Sequence, residues 1–278
     1  MCETSRDGLA VGFFDGVHRG HQAILARASA VLTFRNHPLS VLAPNRAPQL
    51  IMSTEERLAA IASCGVKDVR ALEFTSALAA LSPDDFIRQY VRECKVYCGG
   101  NWNFGRGGVG NAAYLRAHGI NAEVVSYADY EGLPISSTRI RAAIAEGRIE
   151  AVNAMLGHSW KMRGTVVRGK GMGRQIGFPT VNVRIGDGLQ RPPHGVYEVR
   201  LLGRRAVANF GLAPTMGQMA WPEPMLEVHV LEKVEGEWPQ LGDSASVEMV
   251  RFIRGERKFE KIEDLRRQIA KDCDTISP

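Results

Sequence analysis

The chain has 278 residues, 45% of them hydrophobic and 23% charged, and a formal net charge of +5. That length suits two domains better than one, and the composition is that of an ordinary globular protein. No block of like charges and no apolar run near the roughly 20 residues of a membrane span is present, which argues against a nucleic-acid tail and a spanning helix.

In chain order, LAVGFF (9–14) and AVLTF (30–34) read as buried strands, with HQAILARA a short helix between them. TEERLAAIASCG has helical spacing, opened by the cap-like Ser53-Thr54 and closed by Gly65. VRALEF (69–74) is a strand, and SPDDFIRQYVREC a helix with Pro near its start. KVYCGG is a strand, NAAYLRAHG a helix and AEVVSY a strand, and STRIRAAIAEGRIEAVNAML closes the half with one or two helices. This alternation predicts an α/β, Rossmann-like domain over 1–156, with a parallel sheet whose ligands lie beyond the carboxyl ends of the strands.

After MLGHSW (155–160) the pattern changes. GTVVRG, PTVNVRI, GVYEVRLLG, RRAVANFG, MLEVHVLE and ASVEMVRFI are short strands separated by Gly, Pro and Asp turns. They predict a small antiparallel β-barrel over 157–278, followed by the amphipathic helix EKIEDLRRQIAKDCD.

In the first half, FDGVHRGH (14–21) sets Gly16 before His18 and His21 at the first turn of a helix. Helix N-termini favour anions, and two imidazoles there suit a polyphosphate. Gly20 between them allows close approach to the backbone. An isolated pair of this kind is commonly solvated or satisfied locally. ISSTRIR (135–141) supplies three hydroxyls and two arginines at another helix start, although alone it reads as an ordinary cap.

Together these motifs resemble the HxGH nucleotidyltransferase superfamily, and specifically the FAD synthetase module of bacterial bifunctional riboflavin kinase/FMN adenylyltransferases. TFRNHP (33–38) and NFGRGGVGN (103–111) are similar to further segments of that module, although Asn101 and Gly108 stand where it carries Asp and Arg. The resemblance implies that Gly16, His18 and His21 contact ATP phosphates and that Ser137 and Arg141 meet them from the other side. It puts Asn101 and Phe104 near the flavin and His37 near either group. The implied reaction is in-line attack of FMN phosphate on the ATP α-phosphorus, driven by positioning and charge stabilisation.

In the second half, VRGKGMGRQIGFPTVNV (167–183) interleaves Gly169, Gly171, Gly173 and Gly177 with Arg168, Lys170 and Arg174 and reads as a flexible loop. It lacks the ending of a Walker loop. Thr180 and Asn182, two apart in a strand, share a face and offer hard oxygens suited to Mg²⁺. The run resembles the flavokinase signature of riboflavin kinases, and HGVYEV (194–199), NFGLAPTMG (209–217), LEVHVL (226–231) and RGERKFEKIEDLRRQIAKD (254–272) follow in that family's order. By that resemblance Gly169, Gly171, Gly173, Arg174 and Gly177 serve ATP, Asn209 the flavin, and Thr180 and Asn182 the metal. Glu227 takes the proton of the riboflavin 5′-hydroxyl, a task for which an ordinary carboxylate is already ionised at neutral pH.

The expected partners are therefore small molecules, namely ATP, riboflavin and FMN, without nucleic acid or membrane; the oligomeric state is left open. A kinase with a weakened first half and a non-catalytic flavin-binding regulator are the competing readings. Cys2, Cys64, Cys94, Cys98 and Cys273 form no CxxC pair, and MCETSRDGLAVGFF has no signal-peptide pattern. Buried free thiols and a cytoplasmic location are expected.

Overall fold

In this computed structural model the described residues are 8–92, 94–169, 171–212, 224–232 and 238–276. The chain divides into two compact units, Met1–Arg139 and Ile140–Pro278.

The first unit is built on five parallel strands: β1 (Leu9–Val11), β2 (Ala30–Phe34), β3 (Asp68–Leu72), β4 (Val96–Cys98) and β5 (Ala122–Val124), in the order β3-β2-β1-β4-β5. Leu9 lies beside Ala30 on one side and Val96 on the other. The strand order reverses at β1, and the crevice at such a switch point is where open α/β sheets bind ligands. Alternation along β1 feeds two cores. Ala10 joins Phe14, Val17, Leu25 and Ile61 on one face, and Leu9 and Val11 join Leu32, Phe86, Val96 and Leu115 on the other.

The unit's helices are α1 (Arg19–Leu25), α2 (Leu39–Leu42), α3 (Thr54–Ser63), α4 (Ser76–Ala79), α5 (Pro83–Phe86) and α6 (Ala112–Ala117). Helix α3 starts with a reciprocal cap: Glu56 N donates to Ser53 Oγ at 3.2 Å, and Ser53 N to Glu56 Oε2 at 3.1 Å. The helix expected over SPDDFIRQYVREC is interrupted, since α5 gives way to a π-helical turn at Ile87–Val91 that ends at Arg92 with φ 54°. A short hairpin, β6 (Asp129–Tyr130) with β7 (Leu133–Pro134), has no counterpart in the sequence-based expectation.

The helices α7 (Ser137–Ala145) and α8 (Ile149–Leu156) lead into the barrel strands β8 (Trp160–Val167), β9 (Val181–Ile185), β10 (Gly195–Leu201), β11 (Arg204–Gly211), β12 (Met225–Val230) and β13 (Ser244–Gly255). These close in the order β10-β11-β12-β9-β8-β13. Asn153 of α8 ties onto the barrel: its Nδ2 donates to Met249 O at 2.9 Å, and its Oδ1 accepts from Trp160 N at 2.7 Å. The segment expected to be a flexible glycine loop instead contains a helical turn, α9 (Met172–Gln175), in which Ile176 N donates to Met172 O at 3.2 Å; beyond it Phe178 N donates back to Gly173 O at 2.7 Å.

The terminal helix α10 (Ile262–Asp274) carries a buried ion pair to the barrel. Arg254 Nη2 donates to Asp272 Oδ2 at 2.6 Å and Arg254 Nε to Asp272 Oδ1 at 3.0 Å. Of the thiols, Cys98 is buried and Cys64 and Cys273 are half-buried. Cys94 is exposed, which corrects the expectation of uniformly buried cysteines.

Candidate active sites

Beyond β1 the chain makes a tight turn in which Phe14, Gly16 and Val17 have φ of 59°, 80° and 41°. A left-handed β-branched residue is strained, and Val17, 1% exposed, is held there by packing. The turn makes His18 the N-cap of α1, with His21 N donating to His18 Nδ1 at 3.3 Å. The rings of His18 and His21 stack with centroids 3.6 Å apart, and the edge of Phe14 meets His21 at 5.3 Å. A Cβ on Gly20 would lie 3.2 Å from the His18 ring, so glycine here makes room for the imidazole.

Burial pushes His18 down to about 4. It holds His21 well below the usual histidine value too, with the charges of His18 and Arg57 adding to the effect. Both rings are therefore neutral at neutral pH. Since His18 Nδ1 accepts a bond, its proton sits on Nε2. Nδ1 of His21 is buried without a hydrogen-bond partner among the described residues.

The second motif reaches this turn, where Ser137 Oγ donates to Asp15 O at 2.9 Å. The Asp15 carboxylate in turn accepts from Ile51 N at 3.1 and 3.2 Å. Ser136 caps α7 by accepting from Arg139 N at 3.2 Å. Arg139 is spent on the hairpin, donating to Tyr130 O and Leu133 O at 2.8 Å each. Arg141 lies four residues beyond Ser137 on the same helix, and so on the same face.

His37 packs edge-on against Phe13 at 4.7 Å, and its Nδ1 accepts from Leu39 N at 3.1 Å. Phe104 is 6% exposed, stacked on Trp102 at 4.8 Å and packed on Phe86 at 5.1 Å. Its backbone exchanges two 2.9 Å hydrogen bonds with Gly110. Phe104 thus anchors the 104–110 loop in the core, while Asn101 is exposed beside it.

On the barrel, Glu227 is directly opposite Asn182 on β9 and Asn209 on β11. Residues paired in this way project to the same face with Cβ atoms about 5 Å apart. Leu226, Val228, Val181, Val183, Ala208 and Phe210 alternate with them and are buried. The Asn182–Glu227–Asn209 rung therefore faces away from the barrel core. The backbone of Gly169 lies directly on Asn182, where an added Cβ would come within 2.2 Å of Nδ2.

Thr180 is half-buried just before β9. The Pro179 carbonyl beside it accepts from His229 Nδ1 at 2.9 Å, and Phe178 meets the His229 ring edge-on at 5.2 Å. Gly171 and Gly177 take the positive φ values, 73° and 89°, that shape the segment, and Arg174 is exposed on α9. Lys170 and most of NFGLAPTMG lie outside the described residues. Among the described residues no group of His, Cys, Asp and Glu suited to a metal ion is found.

Two residues not singled out in the sequence lie beside these candidate residues. His229 lies two residues after Glu227, on the same face of β12. Arg57 of α3 is fully buried, with its guanidinium carbon 4.0 Å from the centre of the Phe13 ring.

Comparison with known proteins matches a FAD synthetase family model to residues 3–139 and a riboflavin kinase family model to residues 156–277. The bifunctional riboflavin kinase/FMN adenylyltransferase of Bacillus subtilis is 32% identical, the alignment covering 97% of this chain and 91% of that protein. Its Escherichia coli K12 counterpart is 33% identical, over 98% and 93% of the two chains. A crystal structure described as a macrolide-efflux protein from Streptococcus pneumoniae superposes with a TM-score of 0.83 at 28% identity, covering 98% of this chain and 94% of that one. With both modules present in order and relatives alike over nearly their whole length, the chain belongs to the bifunctional riboflavin kinase/FMN adenylyltransferase family.

Proposed function

We propose that the family's two reactions divide between 1–156, which adenylylates FMN, and 157–278, which phosphorylates riboflavin, with residue roles that follow from the two sites. The observation that carries the reading is the Asn182–Glu227–Asn209 rung beneath Gly169. It gathers a carboxylate and two amides, buried or half-buried, on the face of the strands opposite the apolar barrel core.

In the kinase step Glu227 accepts the proton of the riboflavin 5′-hydroxyl as that oxygen attacks the ATP γ-phosphorus, and ADP leaves. Asn209, next to Glu227, serves the flavin side, and the glycines with Arg174 serve the phosphates. Thr180 and Asn182 are uncharged hard-oxygen donors, and Asn182 is 8% exposed under the Gly169 backbone. Such a set suits Mg²⁺, which takes few protein ligands alongside waters and substrate phosphates. Bound there, the ion supplies neutralisation of phosphate charge.

In the adenylyl step an FMN phosphate oxygen attacks the ATP α-phosphorus, the bond to the bridging oxygen breaks, and pyrophosphate leaves. His18, through Nε2–H, and His21 donate to phosphate oxygens as neutral groups, and Ser137 and Arg141 contribute from α7. Asn101 and Phe104 support the flavin side of the same step, and Phe104 also fixes the adjoining 104–110 loop. We assign the enzyme to the cytoplasm, since its free thiols suit a reducing compartment. No described helix is long and apolar enough to cross a membrane.

Two variants assayed for both reactions test the division. Glu227→Gln should abolish FMN formation from riboflavin and leave FMN-to-FAD conversion intact, and His21→Ala should do the reverse. Wild-type phosphorylation in Glu227→Gln would overturn the assignment of the base.

A further inference from the structure

Arg57 is 0% exposed, yet among the described residues no carboxylate comes within salt-bridge distance of it. Its Nη1 and Nη2 donate to four oxygens, while its Nε is buried with no hydrogen-bond partner among the described residues. Nη1 donates to Phe13 O at 2.8 Å and Thr33 Oγ1 at 2.9 Å, and Nη2 to Phe34 O at 2.6 Å and Arg35 O at 3.2 Å. Thr33 Oγ1 itself donates to Phe13 O at 3.2 Å. A buried cation without an anionic partner is costly, and an apolar side chain would serve a core helix better. All four oxygens lie at the carboxyl ends of β1 and β2, where the chain leaves the sheet for the His18–His21 turn on one side and the His37 segment on the other.

We propose that Arg57 is a positioning residue for adenylyl transfer: a buried fork that fixes the ends of β1 and β2 and so sets both the His18–His21 turn and His37 on one support. Phe13 is the shared element, with Arg57 on the face of its ring at 4.0 Å and His37 edge-on at 4.7 Å. The guanidinium also acts by charge. It helps keep His21 deprotonated, together with burial and His18. Burial lowers Arg57 itself to about 10, against the opposing pull of Asp15 and Glu55, so it stays cationic at neutral pH. The groups facing the pair are thus His18 and Phe14 around His21, and Asp15 and Glu55 around Arg57.

The proposal rests on the adenylyl-transfer reading of the first unit, and its test uses the full-length enzyme so that riboflavin phosphorylation reports on the integrity of the chain. Arg57→Gln removes the charge, Arg57→Lys keeps the charge but loses the fork, and Thr33→Val removes one acceptor. Displacing a catalytic group by about 1 Å costs on the order of 10²-fold in rate, which is the fall in kcat for FMN adenylylation expected of Arg57→Gln. The His21 imidazole titration, followed by NMR, should move upward in Arg57→Gln and stay near wild type in Arg57→Lys. A lost packing contact alone would not produce that pattern.

Adenylylation within about twofold of wild type in Arg57→Gln, or an unmoved His21 titration, would overturn the proposal. Should Arg57→Gln fail to fold, an upward His21 shift in Arg57→Lys, or wild-type kcat in Thr33→Val, would overturn it. Full adenylylation by His21→Ala would instead refute the underlying reading, whatever Arg57 does.

Discussion

Gly169→Ala is a one-methyl perturbation whose effect can be worked out from the geometry. The added Cβ would lie 2.2 Å from Asn182 Nδ2, 2.6 Å from Cγ and 2.8 Å from Oδ1. Ordinary carbon contacts need about 3.5 Å, so the amide or the backbone above it must shift by roughly 1 Å. The clash is with the end of one side chain, so the cost in stability should sit at the low end of the 1–3 kcal/mol typical of overpacking. The cost in chemistry should be much larger, because about 1 Å of misplacement lowers rates by around 10²-fold. Steady-state riboflavin phosphorylation, with FMN adenylylation by the same preparation as the control, separates the two effects. Gly171→Ala is the useful contrast. Among the described residues nothing lies within 4 Å of its added Cβ, so the backbone penalty of its positive φ is the expected cost. Wild-type phosphorylation in Gly169→Ala would show that Asn182 has no part in the reaction.

Two further outcomes follow from buried charge. His18 titrates near 4 in the fold against about 6.5 in the unfolded chain, so the unfolded state binds more protons between those values. Stability of the first unit should therefore fall as pH drops from about 6.5 towards 4, by up to about 3 kcal/mol from this residue. Urea unfolding of His18→Gln should show a shallower acid decline, and an unchanged pH profile would refute the assignment. Breaking the Arg254–Asp272 pair, whose side chains are 14% and 4% exposed, should destabilise the barrel unit by about 3–5 kcal/mol. Thermal unfolding of Asp272→Ala tests this, and the double variant Arg254→Met/Asp272→Leu should regain most of the loss.

The architecture was legible where the local signal and the tertiary role agree. AVLTF and RRAVANFG coincide with β2 and β11, because each carries buried apolar residues and is bounded by turns. Strand β8 begins four residues before the expected GTVVRG. Trp160 and Met162 are buried between exposed Lys161 and Arg163, an alternation hidden inside a stretch that resembles a linker. The hairpin at 129–134 is held by Arg139 from another element, so no local pattern announces it.

At the sites, glycine spacing and the two histidines stood out in the sequence, while their physical state did not. The neutrality of His18 and His21 comes from burial, which only the folded core supplies. The rung of Asn182, Glu227 and Asn209 depends on the register of three strands that are far apart in sequence. Arg57 reads in sequence as one more charge on a charged helix, and only packing turns it inward. Phe104, expected near the flavin, packs on Phe86 and Trp102, contacts that the glycine-rich loop around it does not announce in sequence.

The central claim is that one chain carries riboflavin through to FAD in two chemically distinct transfers. Supplying riboflavin and magnesium with ATP labelled at the γ-phosphate in one reaction and at the α-phosphate in another tests it directly. FMN should appear first and carry only the γ label, and FAD should follow carrying both. Accumulation of γ-labelled FMN with no α label entering any flavin would contradict the account.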